Sequence, residues 1–355
     1  MAELDKKLKI TARFAEGFRD YRSSSYVDYP VHQLLAQRVY GIILGYEDVN
    51  DHDQLRYDPA LAIALSKLNF TDANQAVLAG KSTLNRLEYC PETIIDQASS
   101  RYHRIEHEVK ELEQAFVDIF LESHPKPPRQ IILDMDVTDD QVHGNQEGAF
   151  FNSYYHGVCY APLYIFCGHH LLVAKLRSSN VDPAFMSLGR TAKNNWSNSR
   201  PMVGDQRRVV TKVTYGSKGL KLRHVVTSLP ASKIPPAKLY TEKYCPRGDM
   251  ENRIKEQQLE LFADRTSTQT MSSNQLRLWL SSIAYVLMQA FRQHCLAKTA
   301  LATATVGTIR LSLLKLGARI TVSIRRILIP IASACPYQDI LATAYRRIQL
   351  LPAPG

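Results

Sequence analysis

Apolar residues recur at helical spacing through the first third of the chain and at strand spacing through its middle. Leu34, Leu35, Val39, Ile42 and Ile43 mark one helix face, which Gly45 and the acidic run GYEDVNDHD bring to an end. Asp58-Pro-Ala-Leu opens a short second helix, and Thr83 to Leu87 belongs to a third. The clearest helical pattern is predicted from about Ser99 to Glu122, with Ile105, Val109, Leu112, Phe116 and Ile119 on one face. Pro125-Lys-Pro-Pro ends it as a stiff linker and sets the first domain boundary.

Gln130 to Arg177 then reads as three strands with tight polar breaks. The first, Ile131-Ile132-Leu133-Asp134-Met135-Asp136, is read as a buried strand ending in acid. Residues 178 to 206 carry neither a helical stripe nor a four-residue apolar run. RRVVTKVTY, from Arg207, and LRHVVTSL flank Gly216-Ser-Lys-Gly219, which predicts a β-hairpin. Pro235-Pro236 interrupts the chain, and Pro246 suits the first position of a helix running to about Ala263. Leu276, Leu280, Ile283, Leu287 and Phe291 predict an amphipathic helix over Gln275 to His294. Thr308 to Leu316, a strand-like Ile320 to Ile329, and Gln338 to Ile348 complete the pattern.

A chain of 355 residues has room for two or three domains. Its net charge of +10 favours a polyanionic partner such as nucleic acid over an acidic small molecule. Ser272 to Gly355 holds ten Lys or Arg against one acid, Asp339, which suits contact with a phosphate backbone. Six scattered cysteines without a C-x-x-C pair argue against a zinc ribbon and for a reducing, cytoplasmic setting. The start, MAELDKKLKI, lacks the apolar core of a secretory leader, and no run approaches the roughly 20 apolar residues of a membrane helix.

Several motif matches fail on their chemistry. Gly80-Lys81-Ser82 resembles the end of a phosphate-binding loop, but Gln75 stands where its first glycine must be. His103-x-x-Glu106-His107 fits a metallopeptidase pattern, yet its charged surroundings read better as a solvated helix face. The Asp48 to Asp53 cluster lacks the glycine and terminal glutamate of a calcium loop, and His169-His170 falls where a hairpin must turn.

Two sites remain. Asp134 and Asp136 share a strand face, with Thr138 and Asp139 close by, and such acids in an apolar strand call for a cation or donors. A solvent-facing strand end is the bland alternative. Arg247, Glu251 and Lys255 step by four along one helix face, with Tyr244 one turn upstream. That arrangement serves either as a ladder of surface ion pairs or as a carboxylate set beside phosphate donors.

These residues resemble the group-1 DDE-domain transposases of bacterial insertion sequences. The likeness is carried by DVTDDQVHGNQEGAFF, YAPLYIFCGHHLLVAKLR and YCPRGDMENRIKEQQLELFADRTS, and toward the N-terminus by LLAQRVYGIILGYEDVNDHD and LAGKSTLNRLE. The resemblance implies an α/β fold: a helical N-terminal DNA-binding domain over 1–128, then an RNase H-like catalytic domain over 129–355. Within the latter, 185–232 would be the remnant of a β-rich insertion. It further implies that three acids bind two Mg²⁺ or Mn²⁺ ions, which activate water or a 3′-hydroxyl for displacement at a DNA phosphate. Asp136 matches the first acid and Glu251 the third, with Tyr244 and Arg247 completing a Tyr-Arg-Glu motif. The motif's final lysine belongs seven residues after the glutamate, where this chain has Gln258; Lys255, one turn earlier, is the candidate substitute. Implied partners are the terminal inverted repeats of the element's DNA and a second protomer in a synaptic homodimer.

The second acid has no counterpart. The family places it on a fourth strand, parallel to the first and reached by a crossover helix. Here the likeness runs to Asp182-Pro-Ala and resumes near Phe185, as though an internal segment were deleted. Asp205, followed by Gln206, Arg207 and Arg208, is not on a buried strand, and Pro183 directly follows Asp182. The expectation is a transposase defective in catalysis. Alternatives are a non-catalytic, DNA-binding inhibitor of transposition, a related nuclease, and a decayed product that does not fold.

Overall fold

The computed structural model describes residues 1–67, 77–92, 104–128, 130–181, 208–216, 219–245, 248–322 and 326–352. It combines helices and sheets and divides into two compact units, Met1–Asn180 with Lys255–Gly355, and Val181–Ile254. Residues 1–128 thus lie in the same unit as the strands that follow them. No helix among the described residues is long and apolar enough to cross a membrane.

The larger unit begins with α1 (Ala2–Leu8) and α2 (Ile10–Glu16), then β1 (Phe18–Asp20) and α3 (Val31–Ile43). The face predicted for α3 is buried, and so is every other residue of the helix except His32. Burying Arg38 there is possible because Glu88 accepts from its Nε at 2.5 Å and from Arg277 Nε at 3.0 Å. Short helices α4 (His52–Leu55) and α5 (Pro59–Ala64) follow, the second capped by the Asp58 carboxylate on Leu61 N, as Asp58-Pro suggested. Next comes α6 (Lys81–Glu88).

The helix predicted from Ser99 is shorter than its pattern. Ile105–His107 forms β2, paired antiparallel with β1, and α7 starts only at Val109 and runs to Glu122. Glu108 is extended (φ −96°, ψ 105°), so the helical period crosses a backbone break that pairing with β1 enforces. Glu106 and His107 are buried rather than on a solvated face: Tyr21 donates to Glu106, and Cys90 Sγ lies 3.5 Å from His107 Nδ1.

The three strands expected over 130–177 resolve into six. β3 (Leu133–Val137), β7 (Leu163–Cys167) and β8 (His170–Lys175) form one antiparallel sheet in the order β3-β7-β8. β4 (Asp140–Gln141), β5 (Phe150–Asn152) and β6 (Gly157–Tyr160) form another in the order β4-β6-β5. Cys167 pairs with His170, leaving Gly168-His169 as a two-residue turn, with Gly168 at φ 59°. β3 corrects the expectation of a buried strand. It is an edge strand, with β7 its only pairing neighbour among the described residues, and Leu133 and Met135 are 51% and 37% exposed.

The helix predicted at Gln275 begins at Met271, behind the Thr270 cap, and runs to Phe291. It is α9 in chain order, after α8 (Gly248–Leu261). All but four of its 21 residues are buried, so it is central rather than amphipathic. Several of its polar positions are hydrogen-bonded in burial. Gln275 accepts from Leu176 N at 2.7 Å and donates to Ala174 O at 3.1 Å, finishing the end of β8. Tyr285 packs edge-on against Phe166 of β7 at 5.8 Å, while Glu113 of α7 pairs with Lys175 of β8 at 2.7 Å. Toward the C-terminus come α10 (Val306–Ile309), two short paired strands (Thr321–Val322 and Ile327–Leu328) and α11 (Gln338–Leu350).

The smaller unit contains the predicted hairpin: β9 (Arg208–Gly216) pairs antiparallel with β10 (Gly219–Thr227) along its whole length. After the Pro235-Pro236 break a helical turn, Pro236–Lys238, leads into Leu239–Tyr244.

Candidate active site

Side chains directly opposite on an antiparallel pair share a face. The register sets Asp136 opposite Tyr164 and Asp134 opposite Phe166, so both acids lie on the sheet face where Phe166 meets Tyr285 of α9. Asp136 is half-buried, and its Oδ1 accepts from Val137 N at 3.0 Å. Immediately after it the chain is held on three sides. Tyr155 donates to Val137 O at 3.4 Å, Thr138 N donates to Pro162 O at 3.3 Å, and Gln258 Nε2 donates to Asp139 O at 3.1 Å.

Asp140, which the sequence did not single out, is 2% exposed. Thr266 Oγ1 donates to its Oδ2 at 2.7 Å, while Oδ1 has no hydrogen-bond partner among the described residues. Burial pushes its carboxyl up to about 8, against the lowering effect of Thr266 and with help from the charges of Asp264 and Asp139. The hydroxyl of Tyr164, fully buried across from Asp136, likewise has no partner among the described residues, and its pKa is raised first by burial and then by Asp140 and Asp264.

Glu251 and Lys255 stand one turn apart on α8, both exposed, and Asp249 and Arg253 form an i,i+4 pair on the same helix at 3.7 Å. Tyr244, upstream, stacks on Tyr240 with ring centroids 4.9 Å apart. Glu251 falls in the smaller unit and Asp136 in the larger. Arg247 and the predicted helix start Pro246 lie outside the described residues, as do Asp182 and Asp205.

The C-terminal half of α8 is built firmly into the larger unit. Glu256 accepts from Arg292 Nη1 at 3.1 Å and from Val306 N at 2.7 Å, and Glu260 accepts from Gly307 N at 2.5 Å, so two α8 carboxylates meet the start of α10. Arg310 donates to Ile43 O at 2.6 Å and Glu260 O at 2.5 Å, fastening the ends of α3 and α8 together. Gln258 is therefore a fixed point, and its side chain touches the backbone three residues beyond Asp136.

The rejected motifs are structural. Asp53 accepts from Lys81 N at 3.1 Å and pairs with Lys81 Nζ at 3.3 Å, so a carboxylate already sits at the α6 N-terminus, where a phosphate would have to bind. Asp48 caps Asn50 N at 2.8 Å, which makes its cluster a turn rather than a calcium loop. Among the described residues no group of three or more His, Cys, Asp or Glu side chains converges closely enough to hold a metal ion. The described carboxylates around Asp136 therefore do not by themselves fit a divalent-metal cage.

No curated protein and no solved structure is detectably similar to the chain. A family model does match, in two segments, residues 1–203 and 193–353, which together span nearly all of it. The match covers far more than half of the sequence, and the chain belongs to the family described as Transposase DDE domain group 1.

Proposed function

We propose that the chain is an insertion-sequence transposase that recognises its element's terminal inverted repeats but has lost the capacity to cleave them. The observation that supports the transposase reading is the family match over nearly the whole chain, and the Gln258–Asp139 bond fastens the C-terminal half of α8 to the segment after β3. In this reading Asp136 and Glu251 are the surviving acids, which would take Mg²⁺ or Mn²⁺, and Tyr244, Arg247 and Lys255 face the DNA. Residues 1–128 serve end recognition, 129–355 correspond to the RNase H-like catalytic part, and 185–232 to the residue of its insertion. The working form is a cytoplasmic homodimer bridging two ends.

Two kinds of observation support loss of the second acid. The sequence likeness runs to Asp182-Pro-Ala and resumes near Phe185, and the family match comes as two segments, 1–203 and 193–353, that overlap at 193–203. β3, beside which the fourth strand would lie, keeps an open edge among the described residues, with Leu133 and Met135 exposed. Without a counterpart of the family's second acid, the set of three carboxylates is incomplete, and no cleavage step is assigned.

Mobility-shift titration with duplexes carrying the element's ends tests the recognition claim. Tighter binding to those ends than to unrelated duplex is expected, and equal affinity for both would refute it. The same loss of cleavage makes an inhibitor role the second reading: co-expression with an intact relative would then suppress that relative's transposition.

A further inference from the structure

The positive charge of the chain has a second concentration outside its C-terminal region. Residues 181–254 hold fourteen Lys or Arg and five Asp or Glu, a net +9 in a chain whose total is +10. The described part of this unit gathers several of these charges. Arg208 Nη1 donates to Ile234 O at 2.8 Å and Leu229 O at 3.4 Å, which folds the segment after the hairpin back onto β9. Further along β9, Lys212 Nζ lies 4.2 Å above the Tyr240 ring, and Tyr240 stacks on Tyr244.

Lys212, Lys233, Lys238 and Lys243 are all exposed around this fold-back. Among the described residues Glu242 is the only carboxylate paired with any of them, reaching Lys238 at 3.6 Å. The Tyr240 ring fixes the Lys212 ammonium by a cation–π contact, so part of the ordering cost of binding is already met. Lysines are point charges without the forked geometry that reads base edges, so the matching ligand is a run of phosphates.

We propose that the β9–β10 hairpin and the Leu229–Tyr244 segment folded onto it form a sequence-independent contact for the DNA phosphodiester backbone, centred on Lys212, Lys233 and Lys243. The choice of DNA among polyanions rests on the transposase reading; the contact itself is independent of metal and of the element's ends.

The test uses the full chain in EDTA, a labelled duplex of unrelated sequence, and fluorescence anisotropy over a range of salt. Removing the charge at Lys212, Lys233 and Lys243 (K212Q/K233Q/K243Q) is expected to weaken binding roughly tenfold or more at low salt. It should also flatten the slope of log affinity against log salt by roughly 0.9 for each phosphate no longer neutralised. K298Q/R319Q/R346Q, in the C-terminal region, is the comparison and is expected to change the slope less. An unchanged melting temperature shows that the variant folds; should the triple variant unfold, K233Q alone is read, with an expected slope change of roughly 0.9. Unaltered affinity and slope overturn the proposal, as does binding to phosphatidylserine vesicles with none to duplex. Because neither metal nor element ends are present, this result stands apart from any failure of end recognition.

Discussion

Gln258 and Asp139, 119 residues apart in sequence, are joined by a single hydrogen bond of 3.1 Å from a side-chain amide to a backbone carbonyl. Eight residues further on, Thr266 reaches Asp140 at 2.7 Å. Together they clasp the second half of α8 and the turn after it to the segment that follows Asp136.

Breaking the first bond is expected to loosen this clasp without unfolding the chain. Gln258→Ala removes one partly buried hydrogen bond, a loss of about 1 kcal/mol. Amide exchange in α8 should quicken while that of the β7–β8 hairpin stays slow. Equal protection in both proteins would show that the bond does not hold the helix.

Asp140 gives the stability of the fold a distinctive pH dependence. The folded carboxyl keeps its proton up to about 8, whereas in the unfolded chain it is released near its ordinary value of 3.8. Between those limits the folded state binds the extra proton, so this group's contribution is full in acid and is lost as pH rises through the upper value. Asp140→Asn imitates the protonated acid and should remove that decline, gaining on the order of a few kcal/mol over wild type at pH 8 or above. Parallel pH profiles of denaturant unfolding for the two proteins would contradict it.

Glu88 neutralises two arginines from inside the fold, Arg38 on α3 and Arg277 on α9. Its side chain is 1% exposed, and Arg38's is 6% exposed. Glu88→Gln leaves the Arg38 guanidinium buried without a counter-charge, which costs about 3 kcal/mol or more. Thermal melts should show one of the largest shifts of any single charge removal in the larger unit, exceeding that of the exposed Arg19–Glu111 pair.

The open edge of β3 predicts self-association. Exposed Leu133 and Met135, on a strand that among the described residues is paired on one side, are a template for intermolecular pairing. Met135→Lys should lower aggregation on concentration, measured by light scattering, while changing the melting temperature little. Unaltered aggregation would place the sticky surface elsewhere.

Local patterns proved readable and long-range ones did not. The α3 face at Leu34 to Ile43 and the β9–β10 hairpin follow from spacing and turn chemistry within a dozen residues. Ile105 kept a helical spacing yet joined a strand, because its partner Asp20 lies far upstream and pairing overrode the local period. The spacing of Leu276, Leu280, Ile283, Leu287 and Phe291 predicted an amphipathic helix; hydrogen bonds such as Gln275 to the end of β8 and Ser282 to Leu278 O let its polar side be buried too. At the site, Asp136 announced itself as an acid within an apolar run. Asp140, Gln258 and Thr266 carried no such signal, since each acquires its role from a partner more than a hundred residues away.

Strand cleavage tests most directly the proposal that the metal site of Asp136 and Glu251 lacks the family's second acid. Purified chain is incubated with end-labelled duplex carrying its element's terminal repeats in Mg²⁺ or Mn²⁺, and nicked strands are resolved on a denaturing gel. The expected result is a stable complex with nicking no greater than that of the Asp136→Asn variant. Nicking at the rate of an intact relative, abolished by Asp136→Asn or Glu251→Gln, would show that the cage is complete and that no catalytic acid is missing.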